Sequence, residues 1–285
     1  MSPRTFLVTG ATGRQGGATL ESLLVRGHRV RALTRTPESA SARRLASRGV
    51  EVFTGDMDDV PSLERALQGV DGAFLVTNFV GGSATVESEE RQGKKFVEAA
   101  AKTGLRHLVF SSVGGAERRT GIPHFESKWR IEEHARARGL ALSVVRPAFF
   151  MENFQFPFLA RAFFIGALQT VLGQTKTLQL IAAADIGAIA AGFLDEGPAS
   201  AGQALEIAGD ALTVPQIKET HRRVVGKGLP GVPVPRPLLR RMPEELGGML
   251  LWFGESGYQA DIEGVRRRHP GLLSFDAWLK AGNRV

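Results

Sequence analysis

The sequence has 285 residues, 43% of them hydrophobic and 23% charged, which is ordinary for a soluble globular protein that can bury a sizeable core. It contains no cysteine, which excludes disulfides, a thiol nucleophile and Cys-ligated zinc or iron–sulfur centres. The net charge of +7 leaves two interpretations open, a basic surface with pockets for anionic ligands or a nucleic-acid-binding protein.

The nucleic-acid interpretation is the weaker one. No zinc-finger, basic-zipper or RNA-recognition signature is found. The basic residues of the C-terminal third are interleaved with Pro and Leu, and they are Arg222, Arg223, Lys227, Arg236, Arg240, Arg241 and 266–268. The longest uncharged run, 162–175, is shorter than the roughly 20 residues that span a membrane. Since the start of the chain also lacks the pattern of a signal peptide, we expect a cytoplasmic protein without a membrane segment.

The first 150 residues alternate short apolar strands with amphipathic helices. The predicted strands are "RTFLVT", "HRVRALT", "VEVFTG", "GAFLVT", "RHLVFSS" and "LSVVRP", and such short apolar runs are typical of strands buried on both faces of a parallel sheet. The predicted helices cover 15–26, 38–47, 61–67, 87–103 and 126–138, and a glycine follows each of them. The alternation predicts an α/β fold, a doubly wound parallel sheet of the Rossmann type.

The regular alternation of strands and helices ends after Pro147. Seven of the seventeen phenylalanines lie in "FFMENFQFPFLARAFF", which could be core, a homodimer surface, or the wall of a pocket for a flat, quinone-like ligand. A helix at 184–194 and a strand at 204–208 could return to the main sheet, and a later helix has Thr213 as its predicted N-cap. We predict a dinucleotide-binding domain over 1–153, with 184–208 returning to it. A smaller, irregular C-terminal α/β domain over 154–285 would serve a substrate or partner.

The segment "VTGATGRQGG" follows the first strand and opens the first helix. Gly10 and Gly13 lack side chains, so the backbone can turn tightly and approach a pyrophosphate, while Gly16 allows close packing of helix on strand. The helix N-terminus would present amide donors to the phosphates. The loop therefore predicts a dinucleotide site.

The end of the second strand predicts which dinucleotide binds. An acidic residue there would bind the ribose 2′-hydroxyl, whereas arginine accommodates a 2′-phosphate. This strand ends in "RALTRTP", with Arg35 at that position and no acidic residue between His28 and Pro37. Arg14 in the glycine loop adds a second cation. The pattern favours NADP(H).

The motifs as a set resemble the NmrA-like family, an atypical branch of the short-chain dehydrogenases/reductases. They are "GATGRQGG", "TRTP", "TGDMDD", "VTNF", "HFESK", "RPAFFMENF" and the closing "DIEGVRRRHPGLLSFDAWL". The resemblance implies a pyrophosphate site, a 2′-phosphate site at Arg35, and Asp56 and Met57 beside the adenine, although Asp56 could instead cap the next helix. The resemblance also implies residues that line the site from the ribose to the nicotinamide, and a hydrogen bond from Lys128 to the nicotinamide ribose. The implied residues of the pyrophosphate site are Gly10, Ala11, Thr12, Gly13, Arg14, Gln15 and Gly16, and those of the nicotinamide path and end are Thr77, Asn78, Phe79, Phe150, Met151, Glu152 and Asn153.

The catalytic tyrosine of the superfamily is absent. Typical members have a Tyr four residues before the Lys, and that Tyr passes the proton that accompanies hydride transfer. In "PHFESKW" His124 stands in its place, four residues before Lys128. His124 could act as a general acid or be an ordinary surface or capping residue. The single tyrosine, Tyr258, is an improbable substitute.

Two functions remain open from the sequence. One is an NADPH-dependent oxidoreductase acting on quinone-like or other apolar acceptors, with Lys128 and His124 as candidate catalytic residues. The other is a silent sensor of the NADPH/NADP⁺ ratio that acts through a protein partner, as the resemblance to a family with sensor members implies. Ser111 and Ser112 stand where the superfamily serine belongs. No metal-ligand set of the H-E-x-x-H kind, no G-x-S-x-G and no G-K-[ST] motif competes with these readings.

Overall fold

The structure is a computed structural model that describes residues 2–79 and 84–282. Its strands are β1 (Thr5–Val8), β2 (Arg29–Thr34), β3 (Glu51–Thr54), β4 (Gly72–Val76), β5 (Leu108–Ser111), β6 (Leu142–Pro147), β7 (Phe149–Phe150), β8 (Thr177–Ile181), β9 (Ala204–Ile207) and β10 (Asp210–Thr213).

Helices alternate with the strands in the first half of the chain and dominate the second. They are α1 (Arg14–Val25), α2 (Ala40–Ala46), α3 (Val60–Leu67), α4 (Val86–Lys102), α5 (Pro123–Ala137), α6 (Phe158–Leu172), α7 (Ala183–Glu196), α8 (Val214–Val225), α9 (Arg236–Leu239), α10 (Gly247–Glu255), α11 (Ile262–Arg268) and α12 (Phe275–Lys280). Short 3₁₀ turns cover Ala116–Arg118, Met151–Gln155 and Gly197–Ser200. Among the described residues, no helix has both the length and the apolar character that crossing a membrane requires.

The main sheet has the predicted doubly wound order. Seven of the described strands form it, in the order β3-β2-β1-β4-β5-β6-β9. The pairs β1–β2, β2–β3, β1–β4, β4–β5 and β5–β6 are all parallel. The strand order reverses between β1 and β4, and in sheets of this kind ligands bind at the carboxyl ends of the strands beside that reversal. The α/β prediction of the Rossmann type is confirmed.

A second, three-stranded sheet has the order β10-β8-β7. Strand β8 pairs antiparallel with β10 and parallel with β7. The sequence analysis did not predict this sheet. Its strands are two to five residues long and lie far apart in the chain, so no hairpin signal announces them.

The described chain divides into two compact units, each with its own core. The first consists of 1–112, 126–145 and 186–205, and its core lies on Leu75, Phe96 and Phe110 among others. The second consists of 113–125, 146–185 and 206–285, with a core that includes Phe149, Phe154 and Trp278. The core interpretation of the phenylalanine-rich segment is thus confirmed for Phe149 and Phe154. The domain boundaries at 1–153 and 154–285 stay a prediction.

Most helix ends lie within two residues of the expected ones, but α5 does not begin where the sequence predicts. It begins at Pro123 rather than at residue 126. Proline is tolerated in the first turn of a helix, where its missing N–H would have no intrahelical partner. His124 therefore lies inside the first turn of α5. The predicted cap of α8 is confirmed, because the Thr213 side chain accepts a hydrogen bond from the backbone N–H of Gln216.

Candidate functional site

A cavity of about 650 Å³ opens in the first unit at the carboxyl ends of four strands. The Thr9 side chain joins two of those ends: its hydroxyl donates to the Val76 carbonyl at 3.1 Å and accepts from the Val76 N–H at 2.8 Å. The cavity lies beside the strand reversal, where a dinucleotide is expected. Its lining includes Thr9, Gly10 and Thr12 after β1, Thr34, Arg35 and Thr36 at and after β2, Gly55, Asp56 and Met57 after β3, Val76, Thr77 and Asn78 at and after β4, and Ser88, Arg91 and Gln92 on α4.

The glycine loop has the backbone that its spacing predicts. Gly10 has a φ of 60°, and a Cβ there would lie 2.8 Å from a Val76 methyl group. A Cβ on Gly16 would collide with the carbonyl of Gly10. Larger residues at either position would therefore displace α1 or close the approach to the loop. This bare backbone at the cavity fits a pyrophosphate.

Arg35 lines the cavity at the end of β2, next to Thr36 and Ser39. The guanidinium and the two hydroxyl groups are suitable donors for a phosphate. Arg14, the second predicted cation, is exposed and is not part of the lining. Of the two predicted cations, only Arg35 lies at the cavity wall, so Arg35 is the predicted contact for a 2′-phosphate.

Asp56 and Met57 line the cavity on the side of β3. The Asp56 carboxylate accepts from the backbone N–H of Asp58 at 2.8 Å, so it closes a turn and does not cap α3. Arg91 and then Gln92 hold the pKa of Asp58 well below its usual range. The turn therefore remains fixed and anionic across the physiological range.

Lys128 is buried and makes an ion pair that the sequence analysis did not foresee. Its ammonium lies 2.9 Å from Oε1 of Glu89, a residue of α4 with 0% exposure. It also donates to the Thr77 hydroxyl at 2.8 Å. Lys128 itself is 6% exposed and is not part of the cavity lining, whereas Thr77 is. The contact of Lys128 with a nicotinamide ribose stays a prediction.

Ser111, at the end of β5, is also bound to a protein partner. Its hydroxyl donates to the Gln15 side-chain carbonyl at 2.5 Å. Gln15 belongs to the first turn of α1, so this bond ties the glycine-rich loop to the strand that carries the superfamily serine. Ser112 is buried, and its backbone N–H donates to the Val145 carbonyl.

In the second unit, His124 forms a dyad with Glu245. The imidazole Nδ1 lies 2.7 Å from Glu245 Oε2, and the histidine side chain is 8% exposed. Because an ionised carboxylate only accepts, Nδ1 carries the hydrogen in this bond. A carboxylate on Nδ1 fixes the orientation of the ring. That His124 acts as a general acid stays a prediction. The structure adds Glu245 as the hydrogen-bond partner of its ring.

Tyr258 is a poor proton donor. Burial raises the pKa of its hydroxyl, and the Glu206 carboxylate raises it further. The ring packs on Trp252 and Phe253 within the second unit. This agrees with the sequence reading that Tyr258 does not replace the missing tyrosine.

The segment predicted to close over the nicotinamide lies in the second unit and begins at the last residue of β7. Met151 is fully buried. Glu152 Oε1 accepts from the Ala183 backbone N–H at 3.0 Å and from the Trp278 indole N–H at 3.2 Å. Glu152 therefore caps the start of α7 and links it to α12. The cofactor roles of Phe150, Met151, Glu152 and Asn153 stay predictions, as does that of Phe79, which follows β4.

Glu89 is the functional candidate that sequence reasoning missed. A signal was available, because Glu89 lies four and seven residues before Gly93 and Phe96, two buried residues of the same helical face. A carboxylate on an apolar helix face requires a partner. The surrounding run "ESEERQGKK" is rich in charge, which concealed this one buried position.

Comparison with known proteins identifies the family. The model of the NmrA-like family matches residues 2–278. The chain belongs to the NmrA-like family. The predicted resemblance is confirmed over nearly the whole sequence.

Among curated NmrA-like relatives, an NmrA-like family domain-containing oxidoreductase of Cladobotryum, FrzB, is 38% identical over 53% of this chain and 48% of its own length. This chain therefore spans about half the length of the first curated relatives that it matches. A (4-alkanoyl-5-oxo-2,5-dihydrofuran-3-yl)methyl phosphate reductase of Streptomyces griseus is 33% identical over 79% of this chain and 75% of that one.

Solved structures share the fold at lower identity. NmrA, a negative transcriptional regulator solved in complex with NADP, superposes with a TM-score of 0.78 at 20% identity, covering 98% of this chain and 95% of that one. An NADPH-dependent quinone oxidoreductase from Escherichia coli, solved with NADPH, has a TM-score of 0.77 at 23% identity, covering 95% and 97%. At these identities the likeness establishes the NmrA-like fold.

Proposed function

We propose that this chain binds NADP(H) in the cavity of the first unit and reduces quinone-like or other apolar acceptors without a catalytic tyrosine. One observation carries the proposal: bare backbone at Gly10 and the guanidinium of Arg35 line the same cavity. These are the two features that a pyrophosphate and a 2′-phosphate require. When bound, NADPH would supply a hydride to the acceptor.

The acceptor class follows from the three positions at which the superfamily keeps its catalytic serine, tyrosine and lysine. Here these are Ser111 or Ser112, His124 and Lys128, and none of them is a tyrosine. Ser111, His124 and Lys128 are each hydrogen-bonded to a side chain of the protein itself. Reduction of a simple carbonyl needs a proton delivered to its oxygen. A quinone that accepts a hydride becomes a stabilised hydroquinone anion, which takes its proton from water. We therefore expect turnover with quinones rather than with simple ketones.

The relatives support a reductase. Of the two curated relatives described above, one is named an oxidoreductase, and the one that covers more of this chain is named a reductase. One structural neighbour acts on quinones with NADPH. Cofactor and reaction class are carried to this chain as part of the proposal.

A second candidate is a sensor that turns over little or no substrate and binds a protein partner according to the NADPH/NADP⁺ ratio. A different observation favours it: Ser111, His124 and Lys128, at three positions where the superfamily has catalytic residues, are hydrogen-bonded within the protein. Such a sensor must bind the two redox forms with different affinity in its two states, since equal binding shifts no equilibrium. Nucleic acid stays the least supported partner.

The deciding experiment measures NADPH oxidation against a panel of quinones, aldehydes and ketones, beside a binding titration of NADPH, NADP⁺ and NADH. We expect tight binding of NADPH and NADP⁺, the two forms that carry a 2′-phosphate, and turnover with quinones alone. Comparable rates with simple ketones would contradict a tyrosine-free reductase. Tight binding without turnover of any acceptor would favour the sensor, and failure to bind NADPH would refute both.

A further inference from the structure

A group of four hydrogen-bonded side chains in the first unit includes three buried ones, Glu89, Ser127 and Lys128, and Thr77, which lines the cavity. Glu89 is 0% exposed, and its two carboxylate oxygens have separate partners. Oε1 receives the Lys128 ammonium at 2.9 Å and the Thr77 hydroxyl at 3.0 Å, while Oε2 receives the Ser127 hydroxyl at 2.7 Å. The carboxylate is therefore held by one cation and two hydroxyl donors from β4 and α5.

The donors of Lys128 are directed at the protein. An ammonium has three hydrogens, and the nearest acceptors are Glu89 Oε1 and the Thr77 hydroxyl, followed by the Thr77 carbonyl at 3.3 Å and the Ser111 carbonyl at 3.5 Å. The ammonium also lies 5.4 Å from the centre of the Phe110 ring. Because the Glu89 carboxylate cancels the charge of Lys128 at contact distance, the pair is close to neutral as seen from the cavity.

Thr77 connects this pair to the cavity. Its hydroxyl accepts from Lys128 and donates to Glu89, so both hydrogen-bonding roles of the group are fixed. Thr77 lines the cavity at the end of β4, while Lys128 and Glu89 do not. A change in either charged residue would therefore be transmitted to the cavity through the orientation of Thr77.

We propose that Glu89 and Lys128 act as a neutral positioning pair that fixes Thr77 for the dinucleotide, and that Lys128 acts through Thr77. Glu89 thereby becomes a required partner of the lysine motif in this chain. This inference rests on the proposed cofactor site. It differs from the expected direct contact of Lys128 with the ribose in a way that a double-mutant cycle can distinguish.

The test compares NADPH affinity, by fluorescence titration, in Glu89→Gln, Lys128→Met and the combined variant. Removing one member of a buried pair leaves an uncompensated charge, whereas removing both leaves none. We expect each single variant to weaken NADPH binding about 10-fold or more and the double variant to bind better than either single one, a non-additivity typical of contacting residues. If Lys128 instead contacts the ribose, Glu89→Gln, which keeps the ammonium, binds NADPH no more weakly than wild type, and the inference is overturned.

A second pair of variants keeps the test decisive if a single charge deletion does not fold. Thr77→Val removes the hydroxyl and keeps the shape, while Thr77→Ser keeps the hydroxyl. We expect Thr77→Val to weaken NADPH binding several-fold, Thr77→Ser to restore it, and Thr77→Val to cost nothing further in the background that lacks both charges. An undiminished effect in that background would overturn the inference. The wild-type titration separates the two proposals, because wild type that does not bind NADPH refutes the cofactor site itself.

Discussion

At the scale of single residues, we predict that Arg35 selects between the two nicotinamide dinucleotides. We expect Arg35→Ser to weaken NADPH binding by about 10- to 100-fold, the equivalent of one or two charge-assisted hydrogen bonds, and to leave NADH binding unchanged. Titration of both cofactors measures this directly. Arg14→Ser is the matched control, because Arg14 is exposed and lies outside the cavity lining. An equal loss in both variants would contradict the assignment to Arg35.

A second prediction concerns acid stability and His107. This residue is 1% exposed, and its Nε2 lies 2.9 Å from the Ser143 hydroxyl. Burial lowers the pKa of His107 to about 4 from the ordinary 6.5, with Arg4 as a further cause. The folded protein resists protonation that the unfolded chain accepts. The contribution of His107 to the free energy of unfolding is therefore complete above pH 6.5, and it is lost as the pH falls from 6.5 to 4.

The loss is on the order of 3 kcal/mol of unfolding free energy across that interval. Urea unfolding at a series of pH values measures it. In His107→Asn we expect a lower stability at neutral pH and a flatter slope between pH 6.5 and 4. His134→Asn is the control, because His134 lies partly exposed on α5 beside Glu98. A slope that persists unchanged in His107→Asn would sink the prediction.

The sequence predicted the residues at the cavity wall better than those beneath it. Gly10 and Arg35 were identified because each follows a strand, and strand ends of a parallel sheet share one edge. Asp56 and Thr77 were identified through the resemblance to the family. Glu89 was missed because its role depends on α4 and α5 packing together. A local motif contains no information about which helix face will be buried against a lysine far away in the chain.

At the scale of elements, the packing of α1 on the glycine loop depends on Gly16. A Cβ at this position would collide with the Gly10 carbonyl, so the helix or the loop must shift. We expect Gly16→Ala to weaken NADPH binding at least 10-fold, with a loss of about 1–3 kcal/mol in stability, as is common for overpacking. Gly228→Ala is the control, since a Cβ there has nothing within 4 Å. Equal effects of the two substitutions would contradict the packing argument.

Elements were predictable where their pattern is local. Strand β6 matches its predicted span because "LSVVRP" is a short apolar run between two turn signals. Helix α5 begins earlier than predicted because a proline can belong to the first turn as well as precede it. Strands β8 and β10 escaped prediction because their pairing joins segments about 30 residues apart, and pairing of that kind leaves no periodic trace in so few residues.

At the scale of the whole molecule, the chain has two compact units, so a ligand that binds in one unit can stabilise that unit. The cavity is lined entirely by residues of the first unit. NADPH at 100 times its dissociation constant should stabilise that unit by about 2.7 kcal/mol. In differential scanning calorimetry we expect the first unit's transition to rise by several degrees. A shift confined to the second unit's transition would contradict the cofactor site in the first unit.

The architecture was predictable at this scale because strand and helix alternate through the first 150 residues. The second unit was not, because its helices follow no repeating order and its small sheet draws on three distant segments. Its segments 113–125 and 146–185 are separated in sequence by part of the first unit. Such an interleaved division depends on tertiary contacts, which a single sequence read from left to right does not contain.

The pairing of Lys128 with Glu89 has a consequence for enzyme engineering. Restoring the superfamily's tyrosine by His124→Tyr would reproduce the Tyr–Lys spacing, yet the lysine charge that lowers a tyrosine pKa is already cancelled by a carboxylate 2.9 Å away. We expect His124→Tyr alone to gain no ketone reduction, and His124→Tyr combined with Glu89→Gln to gain it at saturating NADPH, since Glu89→Gln also weakens NADPH binding. Assays with a simple ketone would compare the two variants. On this prediction, a lysine at the expected spacing does not by itself indicate Tyr–Lys chemistry in this chain.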